Sequence, residues 1–77
     1  MNMVDGIWKA TLKSLGLFGV VAKALQHMDQ QNFEMVKEVA DKKVKAGMNR
    51  EKAFLEVMYD RGHLSHDEYK KVLASLK

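Results

Sequence analysis

The stretch Gly62-His63-Leu64-Ser65-His66-Asp67-Glu68 decides the fold class. A glycine is the usual residue at the left-handed end of a helix. Ser65 followed three residues later by Glu68 is a capping box, in which each residue satisfies an amide at the start of a new helix. Leu64, just ahead of the cap, is placed as a hydrophobic staple. The segment therefore reads as helix stop, staple, cap, helix start. Gly47-Met48-Asn49-Arg50-Glu51-Lys52 repeats the grammar with Asn49 as cap and Met48 as staple. Two such corners make three consecutive helices, and no β-branched run alternates as a strand would.

Working outward, the helix after the capping box spans His66 to about Leu76, with Tyr69, Val72, Leu73 and Leu76 inward. The helix before it spans Arg50 to Arg61, with Ala53, Phe54, Val57 and Met58 inward. A third, capped by Asp29 and ended by Gly47, runs to Ala46 and buries Phe33, Val36, Val39, Ala40 and Val44, with Met35 beside them. Glu34, Lys37, Glu38, Asp41 and Lys45 fall on its other side, where Glu34–Lys37, Glu38–Lys42 and Asp41–Lys45 have helix-pair spacing. Lys43 falls inside the apolar arc and is expected to snorkel. Val4 to Met28 forms an amphipathic stripe through Val4, Ile7, Leu15, Phe18, Val21, Ala22 and Leu25, widened by Met3, Ala10, Leu17 and Met28. Gly16 and Gly19 each cost about 1 kcal/mol inside a helix, so this segment is one rod or two helices, Val4–Leu15 and Leu17–Met28.

The expected fold is thus all-α: one domain over residues 1–77, a bundle of four helices, or five if the first is broken. Residues 1–28 form the amphipathic N-terminal part, and residues 29–77 a three-helix unit whose last two helices make a helix-turn-helix hairpin. The first helix is expected to be the centre of the bundle, covered by the other three.

With 77 residues and no cysteine, the chain has no disulfide to support a small core, and a protein partner or self-association is the expected support. Absence of cysteine suits a reducing compartment, and a cytoplasmic location is expected. No stretch reaches the roughly 18 uncharged apolar residues of a spanning helix. Asp5 in the leading segment and the lack of an A-x-A site argue against a secretory leader.

Net charge is +3. Residues 1–28 carry Lys9, Lys13 and Lys23 against Asp5, and the remainder carries ten basic and nine acidic side chains. That is a mixed surface, whereas nucleic-acid binding calls for a basic stripe. Read as a DNA-binding helix-turn-helix, the last helix would offer His66, Tyr69, Lys70 and Lys71, with Asp67 and Glu68 opposing phosphate in its first turn. The first helix, with lysines on its polar face and Trp8 near one end, gives the alternative of a membrane-surface helix.

No chemistry is expected. His63 and His66 have His-x-x-His spacing beside Asp60 and Asp67, but zinc needs three or four convergent ligands, so they are read as surface histidines. Ser65 is explained as a cap, and Gly16-x-x-Gly19 follows no strand, so neither a hydrolase triad nor a phosphate loop is present. The expectation is a non-enzymatic protein without cofactor, metal or small-molecule substrate. Its expected role is a protein-interaction or regulatory module that self-associates. Trp8 with Ile7 and Leu12, at the edge of the apolar stripe, are the candidate exposed contacts.

Residues 53–77, about a third of the chain, resemble the SHOCT class of short C-terminal domains. The resemblance rests on Leu55, Met58, Gly62, Leu64, Ser65, Glu68, Tyr69, Lys71 and Leu73, and departs at His63 and in the less acidic Ser65-His66-Asp67-Glu68 start. It implies an accessory or oligomerisation role and assigns no ligand or catalytic residue.

Overall fold

The computed structural model describes residues 3–76, and of residues 3–5 and 7 the backbone alone. It contains five helices: α1 Met3–Leu15, α2 Gly19–His27, α3 Gln30–Lys45, α4 Arg50–Asp60 and α5 His66–Ser75. No described residue lies in a strand, and no helix among the described residues is long and apolar enough to cross a membrane.

The glycine pair resolves the first helix into two. Gly16 donates to the Leu12 carbonyl at 2.8 Å, and Leu17 and Phe18 then tighten onto Ser14 and Leu15. Phe18 takes an extended backbone, φ −87° and ψ 119°, and α2 starts without a side-chain cap. The stripe that seemed continuous is rotated at this corner. Leu15 and Val21 stay buried, whereas Leu17, expected on the apolar arc, is 85% exposed.

The other boundaries follow the caps. Asp29 Oδ1 accepts from the Asn32 amide at 2.8 Å, and Asn49 Oδ1 from the Lys52 amide at 3.2 Å. Ser65 Oγ accepts from the Glu68 amide at 3.2 Å, and Glu68 Oε1 accepts from the Ser65 amide at 2.9 Å, closing the capping box. Gly47 and Gly62 sit at φ +111° and +83°. That backbone lets Met48 donate to Lys43 and His63 to Met58 across each helix end.

The core centres on α4, which packs against α1, α3 and α5; the expectation that the N-terminal helix would be central is corrected here. Ala53, Phe54, Leu55, Val57 and Met58 are all buried. At 100° per residue they sweep roughly 200° of the helix surface, so α4 needs covering on more than one side. Leu55, absent from the expected inner face, is part of that arc. Trp8 and Phe33 bring their rings to Phe54 at centroid separations of 5.7 and 6.2 Å, joining α1 and α3 through one side chain of α4.

Lys37 departs from its expected solvent face and is 5% exposed. Its ammonium lies 4.8 Å from the centre of the Phe33 ring and 3.3 Å from Glu34, so the ring face and the carboxylate replace water around the charge. Lys43 leaves the apolar arc at its tip, where Nζ meets Glu56 Oε1 at 2.7 Å. That hydrogen bond and the Glu56 charge hold the Lys43 ammonium above the usual lysine range. Asp41 and Lys45 pair at 3.0 Å as their spacing anticipates.

The capping box gives one measurable consequence. The Ser65 amide, then its hydroxyl, hold the Glu68 carboxyl below the usual carboxylate range. A depressed folded-state value contributes stability that is present above the unfolded value and is lost as pH falls through the folded one. Glu68→Gln retains an acceptor oxygen and cannot titrate. The stability advantage of the wild type over this variant is therefore expected to shrink in thermal melts from neutral pH down through the carboxylate range; a constant difference would show that the Glu68 charge contributes nothing. Ser65→Ala is expected to cost about 1 kcal/mol at neutral pH through loss of the cap.

Candidate functional site

The side chains singled out in the N-terminal segment meet different fates. The side chain of Ile7 lies outside the described residues. Trp8 is 1% exposed, which corrects its reading as an exposed anchor. Its position at the edge of the α1 stripe meets α4, where the Phe54 ring covers it. Leu12 is half-buried, as a residue at a contact edge would be.

Trp8 and Leu12 nonetheless share a cleft. With Lys9 of α1 and Gln30, Phe33, Glu34 and Lys37 of α3 they line an open depression of about 360 Å³. An adjoining depression of about 300 Å³ shares Leu12, Gln30 and Phe33 and continues to Leu25 and Met28 of the α2–α3 corner. The floor is apolar, and Lys9 stands exposed at the rim. Trp8 Nε1 is buried and, among the described residues, is the one buried side-chain nitrogen or oxygen without a hydrogen-bond partner. Such a group costs about 1–3 kcal/mol relative to a satisfied one.

The sequence pointed to Trp8 and Leu12 and missed the α3 wall. Phe33 is expected on the core face of its helix and Lys37 on the solvent side. The signal was present in the Phe33-Glu34 and Lys37 spacing, which stacks a ring, an acid and a base on one helical face.

Of the four side chains considered for nucleic acid, all on α5, two meet Tyr59. His66 Nδ1 lies 3.1 Å from Tyr59 Oη, and Tyr69 stacks on Tyr59 with centroids 4.6 Å apart. Burial, then the charges of Glu56 and Asp60, push the Tyr69 phenol above its usual range. Lys70 and Lys71 are exposed, and Lys71 lines a separate depression with Phe18, Val20 and Val72 at the α1–α2 corner. The His-x-x-His pair also diverges: His63 borders a depression shared with Lys23, His27 and Glu68, away from the Tyr59 contact of His66. Among the described residues, no three His, Cys, Asp or Glu side chains are grouped so as to hold a metal ion.

In comparisons with family models, curated proteins and solved structures, nothing matches this chain.

Proposed function

We propose that this protein is a non-catalytic helical interaction module that works by burying apolar surface against another protein, and in the first instance against a second copy of itself. The observation that carries this reading is the state of α2 and the corner before it. The helix reads Gly-Val-Val-Ala-Lys-Ala-Leu-Gln-His, yet Val21 is its one fully buried side chain. Val20, Ala24 and Leu25 are only partly covered, as is Phe18 ahead of them, and Leu17 stands 85% exposed. A single exposed leucine is ordinary on a protein surface; a mostly apolar helix left half-covered beside it marks an interaction face. In a chain of this size an oligomer also supplies core that one copy cannot. A cytoplasmic location, a regulatory role and the accessory or oligomerisation role implied by the SHOCT-like hairpin belong to the same proposal.

Sedimentation equilibrium across a wide concentration range tests it. The wild type is expected to form a dimer or higher oligomer, and Leu17→Asp to weaken association by about 10- to 100-fold, the equivalent of one leucine side chain returned to water. The substitution lies outside the core of a single copy, so at concentrations where both proteins are monomeric the melting temperature should scarcely move. A wild type that stays monomeric throughout would overturn the self-association. Steeply salt-dependent retention on DNA, lost on neutralising Lys70 and Lys71, would instead favour a nucleic-acid-binding regulator. Sedimentation with anionic vesicles, lost with Leu17→Asp, would favour a membrane-surface role.

A further inference from the structure

The cleft between α1 and α3 lies apart from Leu17 and has a different chemistry. We propose that it docks an acidic, amphipathic segment of a partner protein, whose apolar side chain covers Leu12 and Phe33 while one of its oxygens accepts the Trp8 indole N–H. The inference rests on the interaction-module reading and specifies a second surface for it.

Three observations carry it. First, Trp8 Nε1 is buried without an acceptor, and Trp8 is one of the residues that line the cleft. Buried donors in folded proteins nearly always have a partner, so an acceptor brought by a ligand completes what the fold leaves open. Second, the rim carries an exposed lysine. Glu34 is engaged by Lys37 at 3.3 Å, which leaves the exposed Lys9 as the charge a ligand meets, and a carboxylate is its complement. Third, the depression is open to solvent and runs on past Leu12 to Leu25 and Met28. Sites for small molecules enclose most of their ligand. An elongated apolar floor with a charged edge suits a helix laid along it, with anchors at helical spacing.

The test selects 12-residue peptides from a random display library on the full-length wild-type chain, with counter-selection on Leu12→Lys. The enriched peptides are expected to carry large apolar residues three or four positions apart, together with at least one Asp or Glu. Titration of a selected peptide into isotopically labelled protein is expected to move the Trp8 indole proton signal downfield. Calorimetry should show affinity falling about tenfold in Lys9→Glu and in Trp8→Phe, which deletes the donor along with part of the ring volume. Lys9 is exposed and its substitution leaves the core intact, so an unfolded variant does not obscure the outcome. Neutral or basic selected peptides, a stationary indole signal, or full-strength binding by Lys9→Glu would each overturn the proposal. Selected peptides whose binding is abolished by Leu17→Asp and untouched by Lys9→Glu would sink the cleft while leaving the interaction module standing. An oligomer that forms normally while no peptide is enriched would have the same meaning.

Discussion

Phe54→Ala is expected to leave the chain largely unfolded at physiological temperature. Phe54 has no exposed surface and is the point where three helices meet. Trp8 of α1 lies against it at 5.7 Å with the rings inclined by 48°, and Phe33 of α3 meets it edge-on at 6.2 Å. Truncating a buried phenylalanine costs about 3–5 kcal/mol, a figure that already includes the aromatic contacts it makes. A chain of this length has a total stability of roughly 4–12 kcal/mol. The substitution thus removes a large part of the whole, and more here than in a larger domain, because no second core survives it. Thermal and urea unfolding followed by circular dichroism measure it. Each kcal/mol corresponds to about 4–8 °C in a domain of this size, so the melting temperature should drop by more than about 12 °C. A drop under about 5 °C would mean that α1 and α3 are not joined through Phe54.

Trp8 gives the second large effect, and a pair of substitutions separates its two components. Trp8→Ala removes the ring from the α1–α4 seam and is expected to cost about 3–5 kcal/mol. Trp8→Phe keeps most of the apolar contact, loses part of the ring volume and deletes the N–H. That N–H is buried and unpaired, so its removal returns about 1–3 kcal/mol against the void left by the smaller ring. The net cost of Trp8→Phe is expected to fall below about 1.5 kcal/mol. Urea midpoints compared at one slope give both numbers. A loss for Trp8→Phe well above that figure would show that the indole N–H is satisfied in the folded chain, and would remove one support of the docking cleft. A small loss for Trp8→Phe in the free protein, combined with weakened peptide binding, is the signature of a donor kept for a partner.

The two substitutions also locate the protein's division of labour. α4 and the walls packed on it supply stability, while α2, the Leu17 corner and the α1–α3 cleft hold the apolar surface that the core does not use. The chain has little freedom to drift at Phe54 and considerable freedom at Lys70 or Lys71, whose side chains are exposed.

Everything encoded by neighbours in the chain was legible from the sequence. Asp29, Asn49 and Ser65 cap helices because their side-chain oxygens reach amides three residues on, and Gly47 and Gly62 end helices because only glycine takes that backbone freely. The three caps, the capping box and the Asp41–Lys45 pair are local facts of this sort, whereas the helix number stayed at four or five. The tertiary structure decided what depends on which elements meet. The stripe of residues 4–28 looked continuous because helical periodicity is blind to a corner between two glycines, and that corner turned Leu17 into solvent. Trp8 lay at the edge of its stripe, and an edge is buried or exposed according to whether another helix stands beside it; α4 does. Lys37 showed its charge in the sequence but not the Phe33 ring and Glu34 carboxylate that let it be buried. Period and capping act within about four residues, whereas burial is settled by packing between segments far apart in the chain, and it is burial that made α4 the centre and left the α1–α3 cleft open.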